Sequence, residues 1–399
     1  MRVLFVAMPD HSLAPFWTGF ASRQGWDVHL FPVQEGLPHP GWHKLTVHSL
    51  SRWKNVGLDE SVRVQPFWPF QRGAGTVSMV IGKLAPGLLD RARWLARIIR
   101  RVQPDVVHSL GAKSCRRLIF EARRHCRDAF PRWVVSLATG DCYLRTGRID
   151  PEARPVLAAC DAIIGEHEQQ IPLVGGLGGK AWLGPPGCVA DALTLLNAAL
   201  RTQMCRVPKR NLVVVHADDA WPGEVSLRAL ADCADDLRGY RVILLSSCPR
   251  IAISAGNLAN RLGISVEVVA PGDGKTILGI LGQARIFFDL GGPNSDAILM
   301  LALANGAFPI ALRSPVAEEF VSDAVTGRLI AGRSHRRAVE GLRQALRDDV
   351  LVDRAAQMNR VLCRGRMEES GIAATLASAY AAPAAVPGSL RPSESCAIV

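Results

Sequence analysis

Residues 284–312, ARIFFDLGGPNSDAILMLALANGAFPIAL, limit the folds open to this chain more than any other stretch. An apolar run over 285–290 ends at a glycine pair, Gly291 and Gly292; a helix start follows at Pro293, Asn294 and Ser295, then a helix apolar almost all round, then a second apolar run over 308–312. Strands buried on both faces read as unbroken apolar runs, and a helix without a polar face is covered on every side. The stretch therefore predicts a strand, loop, helix, strand unit deep inside a parallel α/β sheet. Two glycines let a backbone approach a ligand closely. Asn294 or Ser295 can cap the helix, whose first N–H groups and positive dipole end then point at whatever lies above the strand's carboxyl end. A phosphate or diphosphate suits that place; an ordinary βα turn of a doubly wound sheet is the alternative.

The same alternation runs along the chain. The first half opens with a strand over 2–7, a helix over 13–24 and a strand over 28–33, which places His11 and Ser12 as turn residues at a strand's carboxyl end. Residues 34–75 read as irregular, rich in Trp, Pro and His, with His48 and Trp53 at no interpretable spacing. A helical pattern over 79–102 carries an apolar stripe that includes Trp94, Leu95, Ile98 and Ile99. Glycine and proline crowd residues 171–190, which marks a domain boundary. Beyond it the α/β pattern restarts with strands over 211–216, 241–246 and 265–270 and helices over 224–237 and 251–262. Two glycine-rich runs imitate phosphate loops. Gly176-Leu177-Gly178-Gly179-Lys180 fails the dinucleotide spacing, and Gly274-Lys275-Thr276 lacks the earlier Walker glycine, since Val269 stands there.

A chain of 399 residues suits two domains, and 48% hydrophobic against 21% charged residues marks it as globular. No apolar run reaches the roughly 18 residues of a membrane span, and residues 2–7 read as a first strand, not a signal peptide. The ten cysteines are scattered singly, without zinc spacing, so free buried thiols in a reducing compartment are expected and no metal site. The net charge is +11, and residues 91–132 hold twelve Arg or Lys against Asp105, Glu121 and Asp128, a net of +9. That face is either a solvated arginine surface on a packed helix or a contact with an anionic membrane, with Trp94 and Leu95 at the interface. No nucleic-acid motif accompanies it. The tail over 382–399 is rich in Ala, Pro and Ser, which predicts disorder, and it ends in Cys396-Ala397-Ile398-Val399, shaped like a prenylation box.

Several ordered segments resemble one family. Ala302-Leu303-Ala304-Asn305-Gly306-Ala307-Phe308-Pro309-Ile310 looks like the "EAMAxGxPV" segment of family-4-like GT-B glycosyltransferases (glycosyl transferases group 1). Pro104-Asp105-Val106-Val107-His108 resembles their "PDVVHxH" strand, and the run from Trp133 to Asp141 their "WxxSxWGSD". The resemblance implies a GT-B fold: two Rossmann-like doubly wound parallel-sheet domains facing a cleft, here 1–187 on the acceptor side, 188–381 for the nucleotide sugar, and the tail 382–399. It implies hexosyl transfer from a nucleotide-diphosphate sugar, the donor substrate, to a glycan or lipid-linked acceptor in polysaccharide and cell-envelope biosynthesis, without a cofactor or metal. Asp141 and His108 are then the catalytic-side residues, and Gly291, Gly292, Asn294, Ser295, Asp296 and Lys275 the donor-binding ones. The expected setting is cytoplasmic, with peripheral membrane contact through 91–132. The pattern also departs from the family. Pro293 and Leu301 stand at the paired glutamates and Glu224 at the diphosphate arginine, which opens the alternative of a catalytically degenerate binding or regulatory protein.

Overall fold

Every strand of the two large sheets runs parallel to its neighbours, the arrangement that unbroken apolar strands require. The computed structural model describes residues 1–381 apart from 12, 35, 37, 50–56, 67–89, 112, 127–129, 138–140, 145, 178, 190–191, 205–208, 273 and 293. Trp53, Pro293, Gly178 and the prenylation-like end lie outside the described residues.

The chain divides into two compact units, residues 1–184 with 373–399, and residues 185–372. The expected boundary at 187/188 is thus three residues late, and the expected second domain of 188–381 runs too far. The Glu369–Ala381 helix carries the chain back into the first unit, where Tyr380 and Ala379 supply contacts that the core lacks without them.

In the first unit the strands are β1 (Arg2–Ala7), β2 (Asp27–Pro32), β3 (Thr46–Ser49), β4 (Arg63–Pro66), β5 (Val106–Ser109), β6 (Arg132–Ser136), the short antiparallel pair β7 (Cys142–Tyr143) and β8 (Arg148–Ile149), β9 (Ala162–Gly165) and β10 (Lys180–Leu183). The main sheet has the order β10-β9-β6-β5-β1-β2-β3-β4. Two of its strands, β3 and β4, fall in the stretch read as irregular. His48 belongs to β3, buried and stacked on His29 with 3.0 Å between Nε2 and Nδ1.

The Arg91–Val102 helix settles the alternatives for its apolar stripe. Trp94 and Leu95 are buried, and Trp94 meets Phe31 edge-on at 4.7 Å. They belong to the core with Leu4, Val107 and Ile119, so neither reaches a membrane interface. Asp90 caps the helix by accepting from the N–H groups of Ala92 and Arg93, while Arg93, Arg97 and Arg100 face solvent. The basic cluster is therefore partly surface and partly interior: Arg116 and Arg132 are buried.

The second unit holds β11 (Leu212–His216), β12 (Arg241–Leu245), β13 (Ser265–Val269), β14 (Ala284–Asp289), β15 (Phe308–Leu312) and β16 (Arg328–Ile330). Their order is β13-β12-β11-β14-β15-β16, the 3-2-1-4-5-6 succession of a dinucleotide-type fold, so the strand order reverses between β11 and β14. The Ser295–Ala304 helix buries every residue from Ile298 to Ala304 and packs against the Leu193–Arg201 and Asp349–Met367 helices. Each fully buried Leu, Ile or Met there contributes about 1.5–3 kcal/mol. One element starts earlier than expected: the helix after β11 spans Ala220–Asp232, capped by Asp219, so Glu224 lies a turn inside it.

Candidate functional site

The reversal of strand order puts two polar side chains together. His216 ends β11 and Asp289 ends β14, opposite each other in the register, with 3.3 Å between His216 Nδ1 and Asp289 Oδ2 and both side chains buried. Asp289 also accepts from the Gly291 N–H at 2.7 Å and the Ser295 hydroxyl at 3.2 Å. One carboxylate thus ties the strand end, the glycine loop and the helix start into a single piece.

Gly291 has φ 97°, a conformation only glycine adopts without strain, and it turns the chain off the strand. Gly292 is chosen for approach and not for torsion: a Cβ there would meet His216 Cε1 at 3.6 Å, an ordinary contact. Asn294 takes the N-cap place with φ 59°, yet its side chain does not cap the helix. The expected capping by Asn294 or Ser295 is therefore corrected: the Ser295 hydroxyl is turned to Asp289, and the Asn294 side chain makes no cap hydrogen bond.

Above this loop lies a cavity of about 460 Å³, bordered by Asp289, Gly291, Gly292, Asn294, Ser295, Asp296 and Ala297, by Ala311 and Leu312 at the end of β15 and Ser314 beyond it, and by Cys188. Asp296 accepts from the Ser314 hydroxyl at 2.8 Å, which joins the helix to the loop beyond β15. Neither Arg nor Lys is among these bordering residues, while two carboxylates are. Five of the six expected donor residues therefore surround one space. Lys275 does not: it is exposed at the start of the Gly274–Leu281 helix, which follows β13 at the sheet's edge. Glu224 is paired with Arg250 at 2.7 Å, and Leu301 is buried in the helix.

His108 and Asp141 take up interior positions in the first unit. His108 is fully buried, with Nδ1 2.7 Å from the Tyr380 hydroxyl and Nε2 2.8 Å from the Ser136 hydroxyl, and burial lowers its pKa to about 3. A neutral imidazole enclosed by Phe5, Trp17 and Tyr380 is a satisfied core histidine, which corrects its placement along an acceptor surface. Asp141 is likewise buried, both carboxylate oxygens bound by the Arg116 guanidinium, one of them at 2.7 Å. Burial and the bidentate pair replace the projection into a cleft that strand-end position suggested. The free thiols Cys115, Cys160 and Cys363 are pushed up to about 12 by burial, which leaves them unreactive near neutral pH.

His216 is the residue that sequence reasoning passed over. Its only signal was a polar side chain closing an apolar strand, and its partner stands 73 positions away.

No protein-family profile matches the chain, and no curated protein matches it in sequence. Solved structures match its fold. HepE from Anabaena, solved with UDP, is similar at a TM-score of 0.57 and 14% identity, over 95% of this chain and 99% of that one. Sucrose-phosphate synthase from Thermosynechococcus elongatus is similar at 0.57 and 13%, over 95% and 98%. A glycosyltransferase from Rickettsia africae is similar at 0.57 and 12%, over 95% and 97%. The fold is GT-B, with two parallel-sheet α/β domains of the kind these structures share.

Proposed function

We propose that this chain is a glycosyltransferase that takes a nucleotide-diphosphate sugar as donor and a glycan or lipid-linked hydroxyl as acceptor, in the assembly of cell-envelope polysaccharide. The observation that carries the reading is the cavity at the reversal of strand order, floored by the Gly291–Gly292 loop and headed by a helix start without a side-chain cap. Ligands of open α/β sheets collect at that point, and a helix N-terminus favours anions. As the glycosidic bond breaks, negative charge grows on the leaving nucleotide. N–H groups already fixed in place stabilise that charge without reorganising, which is the main contribution such a site can make. HepE has also been solved with UDP-glucose, which makes a uridine donor the first to try.

A specific observation favours a second reading, a nucleotide-sugar-binding protein that has lost catalysis. The cavity is bordered by Asp289 and Asp296 and by no Arg or Lys among the described residues. Each missing charge-assisted hydrogen bond to the diphosphate is worth about 1.5–3 kcal/mol. Thermal melts with UDP, GDP and ADP sugars test both. Saturation at about a hundred times Kd stabilises by about 2.7 kcal/mol, so an upward shift with one member is expected, followed by sugar release or transfer. Binding without any turnover supports the second reading, and no shift with any member contradicts both.

Membrane contact stays within the proposal. Arg93, Arg97, Arg100 and Arg117 are exposed on two helices that pack against each other, a surface suited to anionic lipid by charge alone. No helix among the described residues is long and apolar enough to cross a membrane.

A further inference from the structure

A diphosphate above the Gly291–Gly292 loop sits over a carboxylate it does not neutralise. Asp289 is 2% exposed and directly below the loop, and the segments that adjoin the pair in sequence carry mostly acidic groups. Asp218 and Asp219 follow β11, with Asp218 bound by Ser247 and the Asp219 N–H 4.0 Å from a Cβ at Gly292. Asp296 is held by Ser314, Glu224 by Arg250, and Arg313 beyond β15 by Glu318. Directly after β12 comes Ser246, a neutral hydroxyl that donates to the Ala217 carbonyl. Among the described residues, the ionisable group in contact with Asp289 that can become a cation is His216.

We propose that His216 is the cation of the donor site: the diphosphate binds with uptake of one solvent proton by the His216 imidazole. The inference rests on the reading of this cavity as a donor site. A carboxylate only accepts, so the hydrogen between the two side chains belongs on Nδ1 and the added proton goes to Nε2. The resulting imidazolium neutralises Asp289 and leaves the loop N–H groups and helix dipole to act on the phosphates. Gly292 allows this because only the thickness of one residue separates ring and ligand: His216 Cε1 is 3.6 Å from where its Cβ would stand. His216 acts through the loop and through Asp289, as a positioning and charge-balancing residue. Low-dielectric surroundings make one unit of charge there count for far more than at the surface.

The test is calorimetric titration of UDP-glucose into the full chain at several pH values, in buffers of different ionisation enthalpy. The diphosphate of a nucleotide sugar has no ionisation of its own near neutrality, so any proton taken up belongs to the protein. ADP-glucose and GDP-mannose are run alongside so that the wrong base does not hide the site. Expected are an uptake approaching one proton and an affinity that weakens by up to about tenfold per pH unit above neutrality, the limit for one linked proton. His216→Asn, whose side-chain amide can still donate to Asp289, should bind with no proton uptake and a flat pH profile, and about tenfold more weakly than the wild type at about pH 6. A melting temperature equal to the wild type's shows that the variant is folded; if it is lowered, the wild-type proton count alone decides. Binding without proton uptake overturns the inference and leaves the donor-site reading standing. No binding by any of the three sugars overturns both.

Discussion

His108 and His48 are neutral in the folded protein because burial lowers both to about 3, and each gains a neighbour that suits a neutral ring. In the unfolded chain a histidine titrates near about 6.5. The folded state therefore binds fewer protons between about pH 6.5 and about 3, so the stability at stake is fully present above about 6.5 and is lost as pH falls. Linkage limits the slope to about 1.4 kcal/mol per pH unit for each histidine. Urea unfolding at about pH 7 and about pH 5 should show a loss of about 2–4 kcal/mol; an unchanged midpoint contradicts the burial. Asp141 makes a sharper case. Its pairing with Arg116 is almost fully enclosed, with side chains 0% and 3% exposed. Asp141→Asn leaves a buried guanidinium half-compensated, at a cost of about 3–5 kcal/mol. A large fall in Tm is expected, whereas lost activity at an unchanged Tm would return Asp141 to the chemistry.

At the scale of elements, long apolar strands and the glycine loop could be read from the chain, and short polar ones could not. β14, β15 and β1 fall within a residue of their expected bounds because buried parallel strands write their burial into consecutive residues. β4, RVQP with alternating exposure, is a four-residue edge strand whose pairing depends on β3, and nothing local announces it. The site shows the same division. Gly291, Gly292, Ser295 and Asp296 lie in one continuous segment and could be read together, whereas the His216–Asp289 contact exists only once two distant strands pair. His108 and Asp141 misled because strand-end position does not reveal whether a side chain turns outward or into the core. The Arg91–Val102 helix offers a direct check on stripe versus surface. Trp94→Ala should destabilise by about 3–5 kcal/mol, as loss of a core aromatic does. Arg97→Glu with Arg100→Glu should leave Tm unchanged and abolish salt-sensitive binding to anionic vesicles; vesicle binding that survives both the reversal and high salt rules out an electrostatic surface.

For the whole molecule, the final helix decides where one unit ends. Residues 373–381 belong to the first unit, in which Tyr380 closes over His108 and the Ala379 carbonyl accepts from buried Arg132 at 2.7 Å. Truncation after residue 372 should therefore destabilise the first unit by several kcal/mol relative to truncation after residue 381, because His108 Nδ1 and the Arg132 guanidinium lose the partners that Tyr380 and Ala379 supply. Equal behaviour of the two truncations in a calorimetric melt would contradict the assignment. The central claim concerns the loop of the second unit, and a pair of substitutions at Gly292 tests it most directly. A methyl group fits there at ordinary contact distance, so Gly292→Ala should keep the wild-type Tm and bind a nucleotide sugar within a few-fold of the wild type. Gly292→Asp puts a further carboxylate where the proposal seats the diphosphate, and calorimetry should find binding weakened at least about tenfold. Nucleotide-sugar binding that is equally strong in wild type, Ala and Asp variants would place the donor elsewhere and contradict the account.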